Sequence, residues 1–325
     1  SSTDLVITLN AFVHPIGTSS RVLRIKSDDL DESVVDIPFN FEVTAGPPDP
    51  PTDLFAVEGV GSATVSWSPP DDTGGAPITS YTITASPGGT STTVATTTTG
   101  TLGGLVAGET QTFTVIAFNG VASSTPSAPS NPAVPYTSAL VVNSTDNSPD
   151  PTPGNGTCDV IGSSTECTLR AAIEESNAGS GYQAILFDIP ITDSGYVAST
   201  TSFKISPTST LPFIEDAVLI DGYSQAGATR NTAQPGSALN TIIKIELNGS
   251  LMLGGALGGF DLRAGSSTVR GVSIGLIPGA GIRVASGENH IEGNFLGTDV
   301  LGTTGKGNST DGVFVSPGST STPNL

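Results

Sequence analysis

The sequence predicts an all-β protein, and three observations carry that expectation. Gly (40) and Pro (24) are abundant while Met and Trp occur once each, a profile that favours short strands and turns over helices. Apolar and polar residues alternate with period two in runs such as Leu5–Leu9, Val22–Ile25 and Ile37–Val43, the pattern of half-buried strands. Finally, sixteen residues are written twice: Gly259–Ile274 overlays Gly281–Leu296 without a gap, 22 positions on, and a third copy opens at Gly312–Val315. Glycines (Gly259/Gly281, Gly265/Gly287, Gly271/Gly293) and apolar residues (Phe260/Ile282, Leu262/Val284, Val269/Ile291, Ile274/Leu296) recur together. Short strands broken by glycine corners at this period predict a parallel β-helix, each copy being one coil stacked on the last.

At 325 residues the chain is long for one domain, and two or three are expected. The 36 % hydrophobic content suffices for packed cores,. A formal charge of −19 with only 11 Lys and Arg opposes binding to nucleic acid and anionic membranes, and leaves many carboxylates able to meet cations. No run approaches the roughly 18 apolar residues of a membrane span, so membrane insertion is not expected. Ser1 opens without a charged-then-apolar leader, so a signal peptide is expected to have been removed or to lie outside this sequence,.

In residues 1–46 an acidic turn, Ser27–Glu32, separates two of the three alternating runs. The stretch from Arg24 to Val43 resembles the last strands of the immunoglobulin-like repeats of bacterial surface proteins, which implies a partial domain whose first strands are missing or come from a neighbour. Asp28, Asp29, Asp31 and Glu32 are a calcium candidate, with a solvated turn as the plainer reading. Gly46–Pro51 is a stiff linker of polyproline type,.

Residues 47–137 carry Pro50–Leu54, Ala63–Pro70, Gly74–Thr84, Leu105–Gly108, Phe113–Asn119 and Ser127–Pro132. This set resembles a fibronectin type III domain, and implies a β-sandwich with Trp67 and Tyr81 on alternating strands supplying bulk to a two-sheet core. Gln111 stands where family members usually carry a corner tyrosine. Residues 47–136 contain no Lys, Arg or His, so a nucleic-acid or heparin site is not expected and the domain reads as a spacer.

Residues 138–156 turn to Asn, Ser, Thr, Asp, Pro and Gly and are expected to be a second linker. Cys158–Asn177 follows; Leu169, Ala172 and Ile173 form an apolar stripe at helical spacing, Thr168 can cap its start, and Asn177-Ala-Gly179 stops it,. The stretch resembles the capping module, named for a Cys-Ser-Leu-Arg-Glu-Ala motif, that precedes right-handed β-helices in bacterial secreted proteins. The resemblance implies a helix acting as a lid over a right-handed β-helix that spans 157–325, with Cys158 and Cys167 bridged. Ala171 replaces the motif's glutamate, which weakens the cap. A bridge fits an oxidising compartment, so the expected location is extracellular or on a cell surface. Ala184–Asp188, Phe203–Ile205, Leu211–Gly222 and Ile245–Gly249 are similar to the same family's early coils.

β-Helices host polysaccharide lyases and hydrolases, which place charged residues on one face of successive coils, so the charges that stack at the 22-residue offset decide whether a catalytic reading holds. Asp261 falls under Arg283, and Arg270 under Glu292; both pairs are opposite in sign and predict a self-neutralising ladder on the solvent side. His14 and His290 lie in different domains, and His290 reads as an exposed coil residue. Asp221 reads as structural. Residues 297–311 add nine residues between coils, and Asp299 and Asp311 there are weak calcium candidates beside the plainer reading of a glycine-rich bulge with no ligand,. No catalytic residues are assigned and no cofactor is expected other than calcium. The functional expectation is structural display or adhesion toward glycans or cell-surface components. The alternatives are a lyase or hydrolase with active coils elsewhere, and a self-associating filament subunit whose uncovered edges pair with neighbours.

Overall fold

A computed structural model describes residues 16–26, 34–233, 236–253, 255 and 257–316. The run Leu5–Leu9, the acidic turn Ser27–Glu32 with its calcium candidates, and His14 lie outside the described residues. The protein is mostly β, and the chain separates into two compact units, Ser1–Leu105 with Glu109–Val134, and Val106–Gly108 with Pro135–Leu325.

In the first unit β1 (Gly17–Lys26) and β2 (Val34–Val43) form an antiparallel pair. Two sheets follow. Strands β3 (Thr52–Gly59), β4 (Ser62–Ser68) and β7 (Thr99–Gly103) make one, and β5 (Ser80–Ser86), β6 (Ser91–Val94) and β8 (Thr112–Phe118) the other. Period-two alternation buries Ala63, Val65 and Trp67 on β4 against Tyr81, Ile83 and Ala85 on β5. Trp67 and Tyr81 meet edge to face, 5.2 Å between centroids. The stretch after β8 reads Ser124-Thr-Pro-Ser127-Ala-Pro-Ser130-Asn-Pro. Each of these serines donates its N–H to, and accepts with its hydroxyl from, the backbone of Ala117, Val115 and Phe113 in turn. A proline-punctuated segment thereby satisfies the edge of β8 without being a strand. Gln111 exchanges both backbone bonds with Ala133.

The second unit holds three sheets in which strands pair in parallel. One orders β19 (His290–Glu292), β16 (Thr268–Arg270), β13 (Val218–Asp221), β10 (Gln183–Phe187) and β9 (Ala139–Val142). The second orders β11 (Tyr196–Val197), β12 (Ser202–Ile205), β14 (Ile245–Asn248), β17 (Val272–Gly275) and β20 (Phe295–Leu296), with β11 antiparallel to β12. The third orders β15 (Gly258–Leu262), β18 (Ala280–Val284) and β21 (Val313–Val315). Phe260 pairs with Ile282, Val269 with Ile291, and Ile274 with Leu296. Ile282 then pairs with Val313, the longer step being the insertion 297–311. Inward side chains stack into one apolar column per position: Ile185, Ile220, Val269 and Ile291 in the first sheet, Ile205, Leu247, Ile274 and Leu296 in the second. Burying each such side chain contributes about 1.5–3 kcal/mol.

Corners are tied by asparagines. Asn289, Asn294 and Asn308 accept the N–H groups of Ser267, Val272 and Ile277, at 3.0, 3.0 and 3.1 Å, so each satisfies backbone that the turn leaves without a ladder partner.

Residues 138–156, expected as a linker, are instead part of this unit. Leu140 and Val142 of β9 are buried in its core. The rest of the segment is strapped to helix α1 (Leu169–Ala178): Asp150 N–H donates to Glu174, Gly156 N–H to Glu175, and Thr168 Oγ1 to the Ser148 carbonyl. Thr168 caps α1 by accepting the Ala171 N–H at 3.1 Å, and Leu169, Ala172 and Ile173 enter the core. Ala171 is fully buried, leaving no solvated room for a glutamate. Cys158 and Cys167 are bridged.

Candidate functional site

Two charged columns lie on the outward sides of the parallel sheets. On the first, Asp221, Arg270 and Glu292 are register partners. Arg270 Nη2 donates to Asp221 Oδ2 at 2.7 Å, while its distance to Glu292 Oε1 is 3.8 Å. Arg230, from the segment that follows β13, reaches both carboxylates at 3.7 and 3.6 Å and lies 5.4 Å from the Tyr223 ring. On the third sheet Asp261 pairs with Arg283, which donates to it at 2.9 Å, and Arg263 stands 3.7 Å away.

The expected solvent-side ladder needs correction in two respects. Asp261 and Arg270 are only 4 % and 6 % exposed, because Arg263 and Arg283 close over the first and the segment carrying Tyr223 and Arg230 crosses the second. The short bond of Arg270 runs to Asp221, not to Glu292. A buried pair of this kind adds little net stability, yet losing one partner costs about 3–5 kcal/mol. These charges hold neighbouring strands together and are occupied with one another.

In the insertion 297–311, Asp299 Oδ1 accepts the N–H groups of Thr303 and Thr304 at 2.9 and 3.2 Å. Burial pushes its carboxyl up, but these bonds, with others from the Thr304 side chain and Leu301, outweigh that and lower its pKa. Asp311 is exposed, and its carbonyl accepts the Gly281 N–H. No group of three or more His, Cys, Asp or Glu suited to a metal occurs among the described residues, and Asp299 is engaged in closing its own turn. His290 is exposed and pairs with Thr268.

The residues best placed to meet a ligand are elsewhere. A cleft of about 570 Å³ opens beside the ends of β9 and β10, lined by Asn143, Asp146, Thr165, Glu166, Asp188 and Asp193. A second, of about 310 Å³, shares Asp188 and Pro190 with it and adds Ile191, Tyr196, Thr201 and Lys244. Asp193 is committed to a turn, accepting from Thr145 and from Gly195 N–H, and Asn143 bonds Thr165 and Cys167. Asp146, Glu166 and Asp188 thus present carboxylates to the opening, with Tyr196 half-buried against Phe203 at 5.4 Å and Lys244 donating to Thr201. Asp188 joins the two clefts. Sequence reasoning missed this set, whose local trace is a strand run ending in Asp188-Ile-Pro-Ile-Thr-Asp193.

Residues 49–133 match the fibronectin type III domain family. A search of curated proteins found no match to the chain. Solved structures similar to it include domains from titin (28 % identity, 30 % of this chain, 36 % of that chain, TM-score 0.26) and the twitchin kinase region from C. elegans (27 %, 30 %, 22 %, 0.25). An Fn3-like protein from Clostridium thermocellum is 26 % identical over 28 % of this chain and 95 % of that one, TM-score 0.23. The chain thus spans about a third of the titin structure and less of the twitchin one.

Proposed function

With a fibronectin type III domain in residues 49–133 as the premise, we propose that the chain is a segment of an extracellular, bacterial-type surface protein with a structural and adhesive role. In this reading the second unit is a right-handed parallel β-helix capped by α1, and the first unit holds a fibronectin type III spacer together with β1 and β2 as the end of an immunoglobulin-like domain. Support for the β-helix comes from parallel pairing at the repeat offset in all three sheets. The Cys158–Cys167 disulfide supports an oxidising location,, and no helix among the described residues is long and apolar enough to cross a membrane.

The observation that carries adhesion over catalysis is the state of the charges. The stacked Asp221, Arg270, Asp261 and Arg283 bond each other, whereas the joined clefts offer acceptors and one aromatic face to solvent. Hydroxyl-rich or amine-bearing sugars suit such a surface, since carboxylates accept their O–H and N–H groups and Tyr196 offers a ring to stack on. Calcium enters only as a bridge to those carboxylates. The test is a polysaccharide panel scored by pull-down and by reducing-sugar and unsaturated-product release, with and without calcium. Binding without product is expected, reduced several-fold by Tyr196→Ala or Asp188→Asn. Product formation would overturn the adhesive reading in favour of an enzyme, and binding unchanged in both variants would remove the cleft from it.

A further inference from the structure

Glu246 stands on the outward side of β14, 5 % exposed, and its Oε1 is shared by two nitrogens. Lys306 Nζ donates to it at 2.6 Å and Asn248 Nδ2 at 2.9 Å. Asn248 is itself 6 % exposed, and its Oδ1 accepts the Ser250 N–H at 3.0 Å. The neighbours of Glu246 across the sheet are Lys204 on β12 and Ser273 on β17.

The sequence builds this meeting through a glycine. Asn248 pairs with Gly275 on β17, and a Cβ at Gly275 would fall 2.7 Å from the Lys306 carbonyl oxygen and 2.8 Å from its Cβ. With no side chain there, the insertion lies directly on β17. Lys306 N–H donates to Gly297 and its carbonyl accepts from Leu276, which fixes the backbone while the side chain reaches across β17 to β14. The nine inserted residues therefore deliver one amine to one carboxamide beside one buried carboxylate.

We infer that Lys306 and Asn248 become joined by an intramolecular amide bond, with Glu246 as the proton carrier. The Lys306 ammonium gives a proton to Glu246, and the neutral Nζ attacks Asn248 Cγ. The Ser250 N–H already on Oδ1 stabilises the oxyanion that forms. A second Nζ proton passes through Glu246 to Nδ2, the Cγ–Nδ2 bond breaks, and ammonia leaves, taking the remaining proton from Glu246 as ammonium. No oxidant or cofactor enters. Oδ1 is retained, so the turn that Asn248 caps survives. Holding amine and amide on one oxygen replaces an encounter between separate molecules and so removes the entropic part of the barrier to amide exchange. An ion pair alone requires Lys306 and Glu246; it leaves unexplained why the Asn248 nitrogen turns to the same oxygen while its carbonyl is held by an N–H.

The test is intact mass of the full folded chain followed by peptide mapping. The expected result is a chain lighter by one ammonia than its disulfide-bonded sequence, and a branched peptide containing Asn248 and Lys306. Glu246→Gln and Lys306→Arg are expected to show the full mass and linear peptides, with circular dichroism confirming that each is folded. Asn248 also precedes Gly249 and can cyclise onto that nitrogen with the same mass loss. That product persists in Lys306→Arg and is cleaved by hydroxylamine, whereas the cross-link is not. Loss of ammonia retained in Lys306→Arg, or linear Asn248 and Lys306 peptides from the folded parent, overturns the inference.

Discussion

Gly271 recurs as Gly293 in the repeat, and Tyr223 lies across both. Its backbone N and ring crowd Gly271, and its hydroxyl donates to the Gly293 carbonyl at 2.7 Å. Gly271 has φ +70°, and a Cβ there would sit 2.7 Å from Tyr223 N and 2.8 Å from its ring. Gly271→Ala therefore adds a left-handed penalty of about 1–2 kcal/mol to overpacking against backbone of about 1–3 kcal/mol. A loss of about 3 kcal/mol lowers the Tm of a unit this size by roughly 6–12 °C. Gly293→Ala, at φ +59°, meets chiefly the end of the Tyr223 side chain, which can swing aside, so its cost is smaller and is partly relieved by Tyr223→Phe. Gly271→Ala gains no such relief, because backbone cannot move away. The assay is differential scanning calorimetry of the full chain. Trp67, the one tryptophan, is in the first unit, so its fluorescence transition serves as an internal reference. A shift under about 2 °C for Gly271→Ala, or equal rescue of both alanines by Tyr223→Phe, would refute the claim that Tyr223 is why these glycines recur.

Reduction of Cys158–Cys167 is expected to cost about 2–3 kcal/mol for so short a loop, read as a lower Tm in reductant; an unchanged Tm would mean that the helix and its strap hold without it. Asp299 has a lowered pKa, so the stability it contributes is present above the unfolded aspartate value of about 3.8 and is lost as pH falls through the lower folded value. Amide exchange at Thr303 and Thr304 should accelerate across that window in the parent and be flat with pH, after correction for intrinsic rates, in Asp299→Asn.

What sequence reading could reach follows how local each feature is. Trp67 and Tyr81 sit in strands whose alternation is visible residue by residue, and the domain they anchor was legible. The serine-proline edge was not readable as an edge, because its contacts recur every third residue and need β8 to be seen. Ala139–Val142 is a short apolar run among polar residues, and only its pairing with β10 distinguishes a strand from a linker. The offset between copies is the offset at which Asp261 meets Arg283, yet burial of these charges depends on distant residues such as Arg230, which the period does not contain. The clefts are further from reach still: Asp146, Glu166 and Asp188 come together from three separate segments.

The distribution of cations gives these features one physical sense. Residues 135–325 hold eight Lys and Arg, and all but Lys204 have a bond or ring contact named within the unit. Arg170 bonds Asn147, Ser209 and Thr210; Lys244 bonds Thr201; Arg263 lies over Phe213; and Arg230, Arg270, Arg283 and Lys306 meet carboxylates. Positive charge is thus used to tie strands and loops together, and the excess of acid is left facing outward. Lyase chemistry on an anionic polymer needs cations at the substrate to neutralise its carboxylates and take a proton, and a surface of this sign repels such a polymer before any contact forms. Neutral or amine-bearing chains meet no such barrier. Under the adhesive role proposed above, the attraction of such chains to a cleft lined by Asp146, Glu166 and Asp188 would be weak at each site and would grow where many copies were displayed together.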